Sequence, residues 1–224
     1  MMRDASADRP QRFQWLGYAL VVLLVSYPYF PESAIGALAG GVMALVVLVA
    51  ALRATHRERH IFISRLALAS TVLIVDIASY SWNRGHLFVE LAFTLFYAWV
   101  TCAVVREVFR DTAVTFDTVR GAAAAYVLIG LAFGSLYDLI ETVEPGSFQL
   151  NIDVPGAAAI GWRRLVFYSF MTLTTIGYGD LTPITTQAQS LAIIQGVIGV
   201  LFVAVIIGRT LGLVSQQSVR DPKD

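Results

Sequence analysis

Long apolar segments separated by short polar loops restrict what this chain can fold into. Of its 224 residues, 57% are hydrophobic and 14% are charged, and the mean hydropathy is +0.67. A helix needs about 20 mostly apolar residues to cross a bilayer, and within lipid every backbone polar group must find an internal partner. The sequence therefore predicts an all-α membrane protein. Its net charge of zero gives no basic surface for nucleic acid.

Six transmembrane helices and one shorter apolar segment are predicted. The spans are about 13–29, 33–52, 61–80, 86–108, 116–139 and 187–214, and the half-span is 162–174. Arginines concentrate before the first span and in every second connection after it, so these segments are cytoplasmic by the positive-inside rule. Both termini are then cytoplasmic, and residues 141–180 face outward. The N-terminal run could also be a signal peptide, but we interpret it as a retained first helix.

A nine-residue stretch begins at the end of the half-span and precedes the last span. It reads Thr172-Leu-Thr-Thr-Ile-Gly-Tyr-Gly-Asp180. Packing does not explain it, because glycine weakens helices and irregular backbone at membrane depth occurs only inside protein or along a cavity. The pattern is understandable if the backbone itself is functional, since carbonyl oxygens of residues 175–178 can replace the water shell of a desolvated cation. A glycine-rich connection without function is the alternative.

With every fixed position of the T-x-x-T-x-G-Y-G-D signature present, the chain resembles the tetrameric potassium channels that have six transmembrane helices and one pore loop per subunit. The resemblance implies a homotetramer with a re-entrant pore helix and a selectivity filter. It implies K⁺ coordination by Thr175, Ile176, Gly177, Tyr178 and Gly179, with the ions held at the first four. Gly177 and Gly179 would take backbone angles closed to other residues, and Asp180 would attract cations at the outer mouth.

The same resemblance implies that the pore helix supports the filter. The implied supporting residues are Phe167, Tyr168, Met171 and Thr172. Tyr178 would point away from the axis and pack against Phe167 or Tyr168, whose hydroxyl could serve as a hydrogen-bonding group. Met171 stands where some family members have a glutamate that ties the pore helix to the filter aspartate. The hydrogen bonds behind the filter must therefore differ in this chain.

The last span is the expected position of the gate. In the family, a hinge glycine follows the last filter glycine at a spacing that falls on Gly199 in this sequence. The same alignment points Val203, Ile207 and Leu211 toward the cavity, and the last two could close the pore by excluding water. Close helix packing is the alternative explanation for the glycine.

The first four spans resemble a voltage-sensor domain in topology alone. We divide the chain into a cytoplasmic segment 1–12, a four-helix module 13–110, a pore domain 111–214 and a short cytoplasmic tail 215–224. The fourth span has no Arg or Lys from His86 to Val105, although steep voltage dependence needs several charges, each contributing about 2.3 kcal/mol per 100 mV.

An outer charge cluster is also predicted. Its members are Asp76, Arg84, His86 and Glu90. Ionisable residues within a membrane are functional candidates, so the cluster could sense external protons. A structural ion pair that holds a helical hairpin together is the alternative.

Taken together, these patterns predict a passive potassium channel in the plasma (cell inner) membrane, whose opening depends little on voltage. The expected partners are further copies of the chain, membrane lipids and potassium as the permeant ion, without cofactor or nucleic acid. A potassium uptake transporter subunit is one alternative, although the intact loop and the absence of a fourfold repeat argue against it. A non-conducting sensor or structural protein is another. No nucleophile–base set, metal-ligand cluster or phosphate-binding loop is visible in the sequence, so no enzyme is predicted.

Overall fold

The computed structural model describes residues 12–30, 34–55, 86–110, 115–151 and 160–220. These residues are mostly helical and include one small antiparallel sheet. The helices are α1 Gln14–Ser26, α2 Ala34–Thr55, α3 His86–Arg110, α4 Phe116–Val143, α5 Trp162–Leu173 and α6 Thr186–Arg220, and the strands are β1 Phe148–Leu150 and β2 Leu181–Pro183.

Three of the described helices contain a stretch long and apolar enough to cross a membrane. These stretches are Glu90–Arg110, Phe116–Val143 and Thr186–Arg209. Helix α1 has 13 residues, fewer than the about 20 that a bilayer requires, and α2 contains a shorter apolar stretch, Leu38–Ala54. The predicted span 61–80 lies outside the described residues. The described part of the chain thus supports three of the six predicted spans.

An apolar core joins α1, α2, α3 and α4. Leu20 of α1, Leu48 of α2, Val104 of α3 and Leu128 of α4 are all essentially inaccessible to solvent in this core. Burying such side chains contributes about 1.5–3 kcal/mol each. The core therefore ties the N-terminal helices directly to α4.

Polar contacts fix the start of α1 against the neighbouring helices. The carboxylate of Asp117, in the first turn of α4, accepts hydrogen bonds from the N–H groups of Arg12 and Phe13, both at 3.1 Å. Arg12 also forms an ion pair with Glu107 of α3 at 2.9 Å. Unpaired N–H groups at a helix start need such acceptors, so Asp117 orients α1 relative to α4.

Small residues on α4 allow α5 to approach its backbone closely. A Cβ on Gly130 would collide with the ring of Phe170, and one on Gly134 would collide with Val166. The Ser169 hydroxyl donates a hydrogen bond of 2.6 Å to the carbonyl oxygen of Gly130. Close contact between backbones is the usual reason for glycine in packed membrane helices, and here it seats α5 on α4.

The small sheet makes the prediction of an all-α chain incomplete. β1 pairs with β2 in antiparallel register, with Phe148 opposite Pro183 and Leu150 opposite Leu181. A second apolar cluster that includes Phe148, Tyr137 and Leu165 lies beneath it. The segment after α4 is thereby held next to the segment that follows the Gly-Tyr-Gly loop.

Candidate functional site

The loop between α5 and β2 turns its amide groups toward α5. The N–H groups of Ile176 and Gly177 both donate to the Met171 carbonyl, at 2.9 and 3.2 Å. The N–H of Thr175 donates to the Thr172 carbonyl at 3.1 Å. Met171 therefore contacts the loop through its main chain.

Left-handed backbone alternates along the loop. Thr175, Gly177 and Gly179 have φ angles of +62°, +55° and +77°, while Ile176 and Tyr178 do not have positive φ. Alternation of left- and right-handed residues directs successive N–H groups to one side of a chain, and the carbonyl groups then face the other. For Thr175 this conformation costs about 1–3 kcal/mol, which the bonds to α5 help to offset.

A run of carbonyl groups in the loop accepts no hydrogen bond from the described residues. No hydrogen bond reaches the carbonyl oxygens of residues 174–178 from any part of the chain that the structure describes. The carbonyls on either side are engaged: Leu173 accepts from the Tyr126 hydroxyl at 2.9 Å, and Gly179 accepts from the Asn151 side-chain amide at 2.9 Å. The exposed loop thus offers a row of free oxygen ligands.

Two aromatic residues of α5 face different neighbours. The Phe167 ring stacks on Tyr178, with centroids 6.2 Å apart and planes inclined by 11°. Tyr168 instead packs edge-on against Tyr137 and Phe148, at 5.2 and 5.3 Å. Of the two side chains expected beside Tyr178, the structure therefore brings Phe167 into contact. Their roles in supporting the loop stay predictions.

A buried polar network links α4, α5 and α6 behind the loop. The Tyr137 hydroxyl donates to the Gln195 side-chain oxygen at 2.6 Å. The Gln195 amide donates to the Ser169 carbonyl at 3.1 Å and to its hydroxyl at 2.7 Å. Sequence reasoning missed Gln195; a glutamine in the apolar interior of the span was the available signal, because a buried amide must find partners.

Gly199 lies at a close contact between α6 and the end of α5. A Cβ at this position would collide with the Leu173 carbonyl. The surroundings of Gly199 therefore agree with close helix packing, which was one of the two explanations for this glycine. A hinge at this position stays a prediction. Val203, Ile207 and Leu211 are 44%, 54% and 65% exposed and follow one another along α6, as a face toward a cavity would require.

α6 also binds the end of α3. The Arg209 guanidinium donates to the carbonyl of Val108 at 2.5 Å and to that of Phe109 at 3.1 Å. It also lies 5.2 Å from the centre of the Phe109 ring. The last carbonyls of a helix lack partners within the helix, so Arg209 caps α3. Arg209 itself lies on α6 between Ile207 and Leu211, the two residues predicted to form the gate.

The outer charge cluster is described only in part. Asp76 and Arg84 lie outside the described residues, and His86 is the first residue of α3. The side chain of Glu90 lies close to that of Asp138 on α4, a neighbour that sequence reasoning did not name.

Comparison with known families identifies the segment that contains this loop. Residues 158–216 match a family model described as "Ion channel". The match extends over α5, the loop, β2 and most of α6. No solved structure matches the chain. The protein therefore contains a segment, residues 158–216, that is similar to this ion channel family.

Proposed function

We propose that four copies of this chain form a channel that conducts potassium passively and selectively across the plasma membrane. The observation that carries the proposal is the row of carbonyl oxygens at residues 174–178, which accept no hydrogen bond from the described residues. The carbonyls of Leu173 and Gly179, on either side of this row, do accept hydrogen bonds. Rings of backbone carbonyls that replace the hydration shell are the basis of potassium selectivity in channels. Thr175, Ile176, Gly177 and Tyr178 supply these ligands in the proposal.

The requirement for several copies follows from the exposure of the loop. In one chain the side chains of Ile176 and Tyr178 are 52% and 70% exposed. One loop approaches an ion from a single side and cannot surround it. A fourfold arrangement encloses the ion and completes the site, and it covers the apolar faces of α6, such as Val197 and Leu201, with other copies or with lipid.

Opening that depends weakly on voltage is part of the same proposal. Helix α3 has no Arg or Lys before Arg106, so there are few charges for the membrane field to act on. The alternatives are a potassium uptake transporter subunit and a non-conducting membrane protein. Every fixed position of the loop signature is present, which argues against both.

Reconstitution tests the proposal directly. We expect the purified protein to migrate as a tetramer and, in planar bilayers with K⁺ on one side and Na⁺ on the other, to give reversal potentials that favour K⁺. Gly177→Ala should abolish the current, because alanine disfavours the left-handed backbone at this position. Gly196→Ala is the matched control, since a Cβ there meets nothing within 4 Å and its backbone is helical.

Two results would contradict the proposal. A reversal potential near zero under these conditions would exclude potassium selectivity. A stable dimer in native mass spectrometry would exclude the fourfold filter, because each chain supplies one loop.

A further inference from the structure

The strand β1 brings a side chain to the outer end of the candidate filter. Asn151 directly follows β1, and its amide nitrogen donates to the Gly179 carbonyl at 2.9 Å and to the Thr182 hydroxyl at 3.0 Å. Its main-chain N–H donates to the Asp180 carbonyl at 2.8 Å. A carbonyl oxygen only accepts hydrogen bonds, so the Gly179 contact fixes which end of the Asn151 amide faces the loop.

The strand that carries Asn151 is itself firmly held. The Glu141 carboxylate accepts hydrogen bonds from the N–H groups of Gly146 and Phe148, at 2.9 and 3.1 Å. The Ser147 carbonyl accepts from Ile184 at 2.7 Å, and the Phe148 side chain is buried. β1 is therefore a rigid support, and Asn151 transmits its position to the loop.

The side-chain amide of Asn151 donates one hydrogen bond to the Gly179 carbonyl and one to the Thr182 hydroxyl. The bond to Gly179 restrains the backbone of the loop. Gly179 has left-handed backbone with φ of +77°, a conformation that glycine leaves at little cost. The bond from Asn151 restricts rotation of the peptide group that carries the Gly179 carbonyl.

We propose that Asn151 positions the Gly179 carbonyl and thereby determines how tightly the outermost cation is held at the mouth of the filter. The inference rests on the proposed channel function. It assigns to the segment after α4 the task of fixing the outer end of the loop, while the main chain of Met171 fixes the inner part. Asn151 acts through Gly179, so it is a positioning residue.

The test removes the donor while preserving shape. Asn151→Asp has nearly the same volume, but its carboxylate cannot donate to Gly179. In planar bilayers, where the K⁺ concentration on each side is set separately, we expect the half-saturating external K⁺ concentration to rise about 2- to 10-fold, as for the loss of one hydrogen bond. The half-saturating internal concentration should not change, and Asn151→Ala should show the same asymmetry.

Controls separate positioning from charge and from folding. Gln149→Asp adds the same charge to an exposed position of β1. It should not raise the half-saturating external K⁺ concentration, since added negative charge attracts K⁺. Lowering the external pH should restore the Asn151→Asp channel, because a protonated carboxyl group donates again.

The outcomes distinguish this inference from the function on which it rests. A wild-type protein without K⁺ current would overturn the proposed function. A K⁺-selective wild type whose Asn151 variants match Gln149→Asp in external K⁺ dependence would overturn the role of Asn151 alone. If both Asn151 variants fail to assemble while Gln149→Asp assembles, the residue is structural and the inference is also wrong.

Discussion

The main chain of Gly199 on α6 lies directly against the carbonyl of Leu173 at the end of α5, without room for a Cβ between them. The same carbonyl accepts the hydroxyl of Tyr126 from α4 at 2.9 Å. Three helices thus meet at the last residue before the loop. A change at this contact should reach the loop directly, because packed interfaces transmit strain.

The first prediction concerns Gly199→Ala. The added methyl group must displace either α6 or the end of α5, and overpacking of this kind costs about 1–3 kcal/mol. We expect a lower Tm for the purified protein, together with reduced K⁺ flux into liposomes. Gly196→Ala, on the same helix but with open space around it, should leave the flux unchanged and should not lower the Tm, since alanine favours a helix more than glycine does.

This experiment also separates the two explanations for Gly199. A glycine that acts only as a hinge predicts a lower open probability with a Tm that is slightly raised, since alanine stabilises a helix by about 1 kcal/mol relative to glycine. A Tm for Gly199→Ala that is not lowered would therefore contradict the packing explanation.

The second prediction concerns the buried pair Tyr137 and Gln195, whose side chains are 0% exposed. Tyr137→Phe and Gln195→Met each leave a buried polar group unpaired, which costs about 1–3 kcal/mol. The double variant should be less destabilised than the sum of the two, with a coupling of about 0.5–3 kcal/mol. Urea unfolding of the purified variants measures this cycle.

A matched pair serves as the control for this cycle. Thr101 of α3 bonds within its own helix, to the Tyr97 carbonyl at 2.7 Å, and lies outside the network. Thr101→Val combined with Tyr137→Phe should be additive. Additive effects for Tyr137→Phe and Gln195→Met would instead show that the bond between them contributes nothing to stability.

Apolar runs located the helices well. The predicted segments 86–108 and 162–174 correspond to α3 at His86–Arg110 and α5 at Trp162–Leu173, because length and hydrophobicity are properties of contiguous residues. The last helix continues to Arg220, beyond the predicted end at Val214, since nothing in its polar end breaks a helix.

Contacts between distant or very short segments could not be predicted in the same way. Strands of three residues, such as Phe148–Leu150, are too short to show alternation. Asn151 and Gln195 acquire a role only through partners far away in sequence, and the Met171 carbonyl contributes a main-chain atom that every residue has. The loop signature predicted left-handed backbone at Gly177 and Gly179. It did not predict the left-handed conformation of Thr175, which is visible only in the folded backbone.

The third prediction concerns voltage and the end of α3. Arg106→Gln and Arg110→Gln together should leave the slope of the conductance–voltage curve nearly unchanged, because these charges stand at the helix end, where little of the field falls. If the wild-type conductance–voltage curve is steep and the two substitutions flatten it, the prediction is wrong.

Arg209 offers a contrast at the same end of α3. Arg209→Gln removes the bonds to the carbonyls of Val108 and Phe109 and should change open probability equally at all voltages. Arg209→Lys retains the charge but loses the paired donors, so we expect it to resemble the glutamine variant. A change in open probability that grows with voltage would contradict a role of Arg209 through its contact with α3 alone.

The fourth prediction concerns the gate at Ile207 and Leu211. Both side chains are apolar and exposed on α6, and a narrow ring of such groups excludes water. Ile207→Ser or Leu211→Ser should make the constriction easier to wet and raise open probability roughly tenfold, equivalent to about 1.4 kcal/mol. Val205→Ser, on the opposite side of the helix by its 3.6-residue period, is the matched control and should have little effect in single-channel recordings.

Accessibility from the cytoplasm tests where this gate lies. In a background without the exposed Cys102, Val203→Cys should react with a cytoplasmic thiol reagent faster when the channel is open, because the position lies above the Ile207 constriction. Equal rates in open and closed conditions would show that no barrier lies below Val203. Control of conduction would then belong to the loop between Thr175 and Gly179, whose backbone is held by Met171 on one side and Asn151 on the other.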